Sequence, residues 1–287
     1  MRFGFHISIA GGFLKVIERA KRLGCETIQI FSRSPRGWNY PKLDLSEAES
    51  FKERLKIRPF FVHMPYLPNL SSSDPELSQK SLESLKIELR RASLLDADGL
   101  VTHLGSHKGK GEERGIKNLI ENINQALCEV QNRVMLLLEN TAGQGAEIGY
   151  RLEQIVSVLA GIEDKERVGL CIDTAHAFEA GYDISSEEGL TKFLETLESL
   201  VGLEKVKLIH FNDSKTPLGS RKDRHWHIGE GFLGIEGISR FINHPALKAL
   251  PAIMETPRKT DEDDLKNMAR AREIKKKLTT KSTKIFV

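Results

Sequence analysis

The 287-residue chain has only three cysteines, Cys25, Cys128 and Cys171, and no two of them form a C-x-x-C pair. An odd, scattered set argues against a disulfide framework. Cys171 sits in an apolar run, which suggests a buried thiol, and the overall usage fits a reducing, cytoplasmic setting. No run of about 18 apolar residues is present, so no membrane-spanning helix is expected. Met1 to Ile9 lacks a basic stretch followed by a long apolar one, so no signal peptide is read there. The formal net charge is only +3, too small by itself to indicate a nucleic-acid partner. There is no Pro/Gly/Ser-rich linker and no short-period repeat. With 39% hydrophobic and 29% charged residues, the composition is that of a globular chain with a large core. The length suits one α/β barrel. We therefore expect a single domain over residues 1–280, followed by a short basic tail at 281–287.

Short apolar or β-branched runs recur at 2–7, 26–31, 60–63, 99–103, 134–139, 168–173, 206–210 and 252–255. Most are near-continuously apolar, the pattern of parallel strands covered on both faces. Helical patterns lie between them, at 10–23, 46–56, 75–95, 113–131, 150–159, 187–201, 235–243 and 261–277. Asp74-Pro75 reads as an N-cap followed by proline at the first helical position. Ser46 and Glu49 read as a capping box. Eight strands alternating with eight helices predict a (β/α)8 TIM barrel with its active site at the C-terminal face of the strands. The segment 270–284 is basic, the pattern of a solvated helix face and tail, or of a contact with phosphates.

The chemistry lies at the strand ends. Six of the eight strands finish on a side chain that can ligate metal: His63, His103, Glu139, Asp173, His210 and Glu255. A seventh ends near His6. One such histidine is ordinarily a satisfied core residue, and one such carboxylate is often a helix cap. Six crowded at one end of a barrel would be costly unless cations neutralised them. Asp173-Thr-Ala-His176 adds an imidazole three residues after an acid. Asp223-Arg-His225 places two more ligand types at i, i+2, on one side of an extended loop. Imidazole plus carboxylate without thiolate suits Zn²⁺, and less selectively Mn²⁺ or Fe²⁺. Nine candidate ligands exceed the needs of one ion, so two or three ions with shared carboxylates are expected. Clustered ions about 3.5–4 Å apart are a recurrent device for cleaving phosphate esters.

The segments H-M-P-Y-L-P-N-L (63–70), L-L-E-N-T-A-G-Q-G (137–145), C-I-D-T-A-H-A-F-E-A-G-Y-D (171–183), I-H-F-N-D-S-K (209–215), D-R-H-W-H-I-G-E-G (223–231) and M-E-T-P (254–257), with G-F-H-I-S-I-A-G-G (4–12) and G-S-H (105–107), resemble endonuclease IV. The resemblance runs in order through almost the whole chain. It implies that His63, His103 and Glu139 hold one zinc. Glu139 would bridge to a second, bound also by Asp173, His210 and Glu255. His176, Asp223 and His225 would hold a third, with Mn²⁺ as a substitute metal. The implied reaction is hydrolysis of the phosphodiester 5′ to an abasic site in double-stranded DNA, leaving a 3′-hydroxyl and a 5′-deoxyribose phosphate, with trimming of 3′ blocking groups besides. Glu139 would orient the attacking oxygen. Arg36, Tyr66 and Leu67 would enter the damaged duplex, where a wedge can replace lost stacking. A monomer is implied. His227, His107 and His244 are not ligands in this mapping, Trp226 is loop packing, and Asn69 and Asn212 are candidate orienting residues.

Two rival readings follow from the same residues. A metal-dependent sugar isomerase or epimerase on this barrel would use Glu139, Asp173, His210 and Glu255. It would not need His63, His103, His176 and the Asp223/His225 pair as well. A non-catalytic damage-binding protein would keep the wedge loop and have no need of all nine ligands.

Overall fold

The structure is a computed structural model that describes residues 1–282, with side chains up to residue 275. In chain order the strands are β1 (Arg2–His6), β2 (Thr27–Phe31), β3 (Phe60–His63), β4 (Gly99–His103), β5 (Met135–Glu139), β6 (Val168–Asp173), β7 (Val206–His210), β8 (Asp213–Ser214), β9 (His225–Trp226) and β10 (Pro251–Met254). The helices are α1 (Phe13–Arg22), α2 (Leu45–Arg54), α3 (Pro75–Leu94), α4 (Glu112–Glu129), α5 (Leu152–Gly161), α6 (Thr174–Ala180), α7 (Glu187–Leu200), α8 (Gly234–Asn243) and α9 (Asp261–Ser282). Eight strands close into a parallel barrel in the order β1-β10-β7-β6-β5-β4-β3-β2. Among the described residues no helix is long and apolar enough to cross a membrane.

The eight expected strands and eight expected helices are all present, within a few residues at each end. Two features were not anticipated. Helix α6 follows β6 at once and has seven residues, too few for an amphipathic repeat to stand out. The strands β8 and β9 pair antiparallel outside the barrel, Asp213 opposite Trp226 and Ser214 opposite His225. Helix α9 continues to Ser282, so the residues assigned to a tail from 281 begin inside a helix. Residues 283–287, and the side chains of Lys276, Lys277, Lys281 and Lys284 in the basic segment, lie outside the described residues.

Capping follows local chemistry. The Asp74 carboxylate accepts from Leu77 N at 2.9 Å, with Pro75 in the first turn of α3. At α2 the capping box assigned to Ser46 and Glu49 is displaced. Asp44 is the N-cap, and its carboxylate takes both Ser46 N (2.9 Å) and Glu47 N (3.1 Å). A carboxylate accepting two amides beside the positive helix end outcompetes a hydroxyl two residues later. Glu47 reaches across instead to accept from Phe13 N at 2.7 Å, closing the start of α1. Gly12 precedes it at φ 95°, where a side chain would be strained and would collide with the Glu47 carboxylate.

The core has two parts. A large shell of apolar side chains fills the space between strands and helices. Inside the barrel a smaller cluster is formed by Phe61, Val101, Leu137, Cys171, Leu208 and Ile253. Each comes from a different strand, and burial pushes the Cys171 thiol up to about 12, leaving it protonated and inert.

A buried charged network braces the loop after β2, at the edge of the cavity over the barrel mouth. Arg33, in the loop after β2, has a fully buried side chain and pairs with Glu88 of α3 at 3.0 Å. Its Nη1 donates to Ser34 O (3.1 Å) and Gly37 O (2.6 Å), and its guanidinium lies 4.0 Å from the Tyr40 ring. Arg91 donates to Ser32 Oγ (2.7 Å) and Pro41 O (2.9 Å) in the same network. Arg33 is thus an internal brace that shapes the loop carrying Arg36, and is not a surface cation. Removing the carboxylate would strand a buried guanidinium. Glu88→Ala should lower the free energy of unfolding in urea by about 3–5 kcal/mol. A loss under about 1 kcal/mol, the range of exposed pairs, would show that the pair does not brace the loop.

Candidate metal centre

Side chains alternate along a strand, so residues two apart share a face. The strand residues Phe61, Val101, Leu137, Cys171, Leu208 and Ile253 fill the barrel interior. Two positions further on stand His63, His103, Glu139, Asp173, His210 and Glu255. The pleat therefore sends all six candidate ligands inward, one layer above an apolar plug. Glu139, Asp173 and His210 are fully buried.

Three groups of ligand atoms form at this mouth, each with its atoms within 4.8 Å of one another: His63, His103 and Glu139; Glu139, Asp173, His210 and Glu255; and Asp173, His176 and His225. Glu139 belongs to the first two. Its Oε2 is 3.1 Å from His63 Nε2 and 3.2 Å from His103 Nε2, while its Oε1 is 2.8 Å from His210 Nδ1. His210 Nδ1 is also 3.3 Å from Glu255 Oε2. Asp223 joins the third group from the rim, 3.3 Å from His176 Nε2 and 3.7 Å from His225 Nε2. All nine expected ligands are thus brought together. Asp173 stands between the second and third groups, a linking position that the sequence pattern did not indicate.

Four imidazoles are locked by a hydrogen bond on the ring nitrogen that faces away from the cluster. His63 Nδ1 donates to Met64 O (2.6 Å), His176 Nδ1 to Asn140 O (2.9 Å) and His225 Nδ1 to Glu255 O (3.3 Å). A carbonyl can only accept, so each of these rings keeps Nε2 free to face the carboxylates. His210 is reversed: Nε2 donates to Gln29 Oε1 at 2.9 Å, leaving Nδ1 inward. Gln29 cannot be flipped, because its Nε2 donates to Glu255 Oε1 at 2.9 Å. One buried amide thereby sets both an imidazole and a carboxylate. Asn212 Nδ2 likewise donates to Asp173 Oδ2 at 2.8 Å, as its candidate orienting role requires. Asn69 instead joins two loops, accepting from Ser106 N at 2.8 Å and donating to Ser106 O at 2.8 Å. Gln29 and Asn140 were missed; the only trace of Gln29 is one amide inside the largely apolar strand T-I-Q-I-F.

His6 stands beside the cluster without belonging to any of the three groups. Its Nδ1 is 2.9 Å from Glu255 Oε1, and its Nε2 is buried without a hydrogen-bond partner. It lines a cavity of about 1040 Å³ that contains the site and also takes in Arg36, Tyr66 and Arg258. Tyr66 and Leu67, in the loop directly after His63, are 62% and 40% exposed. Phe31 supports Tyr66 edge-on at 5.2 Å and packs on His6 at 4.2 Å. Trp226 packs under Lys215 at 4.2 Å, as loop packing. His227, His107 and His244 lie outside all three groups.

Electrostatics matches the geometry. Burial disfavours the His176 imidazolium, yet Asp173, Asp223 and Glu139 raise its pKa well above the ordinary value. Burial also opposes His103, and Glu139 overcomes it. Glu139 moves the other way: burial would raise it, but His210 and His103 hold it well below the usual carboxylate range. Glu255 is lowered against burial by His210 and His6. The carboxylates thus demand positive charge here. Locked imidazoles and converging carboxylates without a thiolate fit divalent cations of the Zn²⁺ type.

The fold and site define a xylose isomerase-like TIM barrel, and the model of that family matches residues 17–278. The probable endonuclease 4 of Halothermothrix orenii is 46% identical over 266 residues, covering 92% of this chain and 96% of the relative. That of Methanosphaerula palustris is 45% identical, covering 96% and 98%. The crystal structure of endonuclease IV from Thermus thermophilus superposes with a TM-score of 0.84 at 38% identity, covering 96% and 98%. The chain belongs to the endonuclease IV family. A D-tagatose 3-epimerase-like protein, at 18% identity and a TM-score of 0.74, shares the fold.

Two expectations follow. Gln29→Ala should keep the barrel but weaken Zn²⁺ binding by about 10–100-fold in chelator competition, as loss of a ligand's supporting partner does; unchanged affinity would mean that Gln29 does not orient His210. Imidazoles whose pKa is raised must lose protons before they ligate. Zn²⁺ uptake should therefore release protons, and affinity should fall as the pH is lowered from neutral to about 5.5. Calorimetry in buffers of different ionisation enthalpy measures this, and binding without proton release would contradict it.

Proposed function

We propose that the chain is a DNA-repair endonuclease that hydrolyses the phosphodiester 5′ to abasic sites in double-stranded DNA, giving a 3′-hydroxyl and a 5′-deoxyribose phosphate, and that it trims 3′ blocking groups. It would hold three Zn²⁺ ions, replaceable by Mn²⁺. His63, His103 and Glu139 form one site, Glu139, Asp173, His210 and Glu255 the second, and His176, Asp223 and His225 the third. Residues 1–280 would work as one catalytic domain, and the protein as a monomer. The observation that carries this reading is the number and overlap of the ligand groups. Nine donors converge at the mouth of the barrel, and Glu139 faces two groups with its two oxygens. A sugar isomerase or epimerase has no use for the additional donors His63, His103, His176, Asp223 and His225.

Cations in such a cluster neutralise a phosphodiester and make water nucleophilic at neutral pH. The protein's own part is to bind and orient. Glu139, fully buried and fixed by imidazoles on both oxygens, lies between the first two groups, where it can position the attacking oxygen. Tyr66 and Leu67 expose apolar surface at the lip of a charged cavity, and Phe31 holds the Tyr66 ring upright. That suits a wedge that fills the gap left by a rotated nucleotide. An abasic nucleotide has no base to unstack, so rotating it out is cheap. Arg36 lines the same cavity, where it can meet a phosphate or the stacked partner strand.

The test is a duplex oligonucleotide with one tetrahydrofuran abasic analogue, which resists lyase chemistry. A single nick immediately 5′ to the analogue, lost on metal stripping and restored by Zn²⁺, is expected. Glu139→Gln should slow it more than about a hundredfold, beyond the usual cost of losing a merely supporting partner. Tyr66→Ala should weaken binding to the damaged duplex by about 1–3 kcal/mol and leave hydrolysis of a minimal phosphate diester largely intact. A fully metal-loaded protein that makes no nick would overturn the reading.

A further inference from the structure

Apart from Asp173, which it shares with the second group, the third group differs from the other two in how its members are delivered. His176 comes from α6, Asp223 from the long connection between β8 and β9, and His225 from the first position of β9. That connection is strapped to α6. Gly219 N donates to Phe178 O (3.1 Å) and Arg221 N to Glu179 O (2.9 Å). The Glu179 side chain completes the attachment. Its Oε1 accepts from Ser214 Oγ (2.7 Å), Thr216 Oγ1 (3.1 Å) and Arg224 N (3.2 Å). Ser214 pairs with His225 in the small sheet, and Arg224 is the residue between Asp223 and His225. Glu179 is fully buried, and among the described residues its carboxylate pairs with no lysine or arginine. Three donors converging on one oxygen offset much of the cost of burying this side chain.

We infer that Glu179 is the positioning residue of the third metal site: it anchors the 214–225 segment on α6, so that Asp223 and His225 meet His176. His176 and Glu179 sit at i, i+3 on one face of the helix. Through them a seven-residue helix sets the position of all three donors, one as its own side chain and two through the anchored backbone. The inference rests on the trinuclear reading above for its metal, but the anchoring can be tested without any metal.

The experiment uses full-length wild type, Glu179→Ala and Glu179→Gln, with two readouts. The first is limited trypsin digestion of the metal-free proteins, because the anchored segment carries Lys215, Arg221, Lys222 and Arg224. Cleavage there should be at least severalfold faster in Glu179→Ala. In Glu179→Gln, whose amide oxygen can still accept the same donors, it should stay close to wild type. The second is zinc per chain, measured by mass spectrometry at buffered free Zn²⁺. Glu179→Ala should hold one ion fewer than wild type, the last site filling only at about 10–100-fold higher free Zn²⁺, and Glu179→Gln should recover most of it. Three results would each overturn the inference: unchanged cleavage in Glu179→Ala, parallel loss of every ion, or a Gln variant as defective as the Ala variant. A wild-type count below three would instead sink the trinuclear reading, leaving the anchoring to be judged by cleavage alone.

Discussion

The two-residue period of the β-strand is the constraint on which the site depends. Because Phe61, Val101, Leu137, Cys171, Leu208 and Ile253 face the barrel axis, the residues two positions later must face it too. The apolar layer does two things at once. It packs the barrel interior, and it closes the floor of the site to water. Carboxylates standing on a dry floor cannot be screened by solvent from below, so their mutual repulsion has to be met by positive charge within the site. The downward shift of Glu139 and the upward shift of His176 are two sides of that demand. The ligand row could not be moved by one residue along the strands without turning it into the helix-facing core.

Facing inward is not enough to make a ligand, because an imidazole also has to present the right nitrogen. The protein solves this with fixed acceptors: backbone carbonyls for His63, His176 and His225, and the Gln29 amide for His210. Each such bond removes a tautomer and a ring rotation before any cation arrives, which lowers the entropy lost on binding. Gln29 is the most economical of these partners. Its amide has one acceptor and two donors, and the Glu255 carboxylate leaves it a single orientation.

Much of this was legible in the chain, and the unread parts share a cause. Strand-length apolar runs ending on His, Asp or Glu mark both the barrel and its mouth, because the ligand and the end of the strand coincide in sequence. Gln29 was not legible, since a lone polar residue inside a strand gives no sign of what it touches 181 and 226 residues away. Arg33 lies in the same loop as Arg36, and nothing in the sequence alone tells the two arginines apart. The carboxylate that pairs with Arg33, Glu88, lies 55 residues on, and only the packing of α3 beneath the loop turns that arginine inward. Helix α6 and the β8–β9 pair were too short to carry a period. Asp44 took the α2 cap because competition between neighbouring capping side chains is settled by geometry that composition does not display.

The two ways of delivering ligands imply different mechanical behaviour. His63, His103, Glu139, Asp173 and His210 are held by a closed hydrogen-bonded barrel, which can displace them only by breaking the ladder. Asp223 and His225 are held by the short β8–β9 pair and a few bonds to α6 and neighbouring loops, and the Asp223 side chain is 42% exposed. A site that receives a DNA duplex, as proposed for this chain, would benefit from such a division. The barrel-borne groups can stay preorganised at constant geometry, where small displacements cost catalysis most. The loop-borne group, at the rim, is held by fewer bonds and in the proposed reaction would have more freedom to adjust to an incoming strand. Tyr66 and Leu67 belong to the same logic from the opposite side. They closely follow His63, so the strand end that fixes a candidate ligand would also fix the base of the proposed wedge. In the proposed reaction, contact with DNA and placement of the reacting phosphate would thereby be set from a common reference, the C-terminal rim of the barrel.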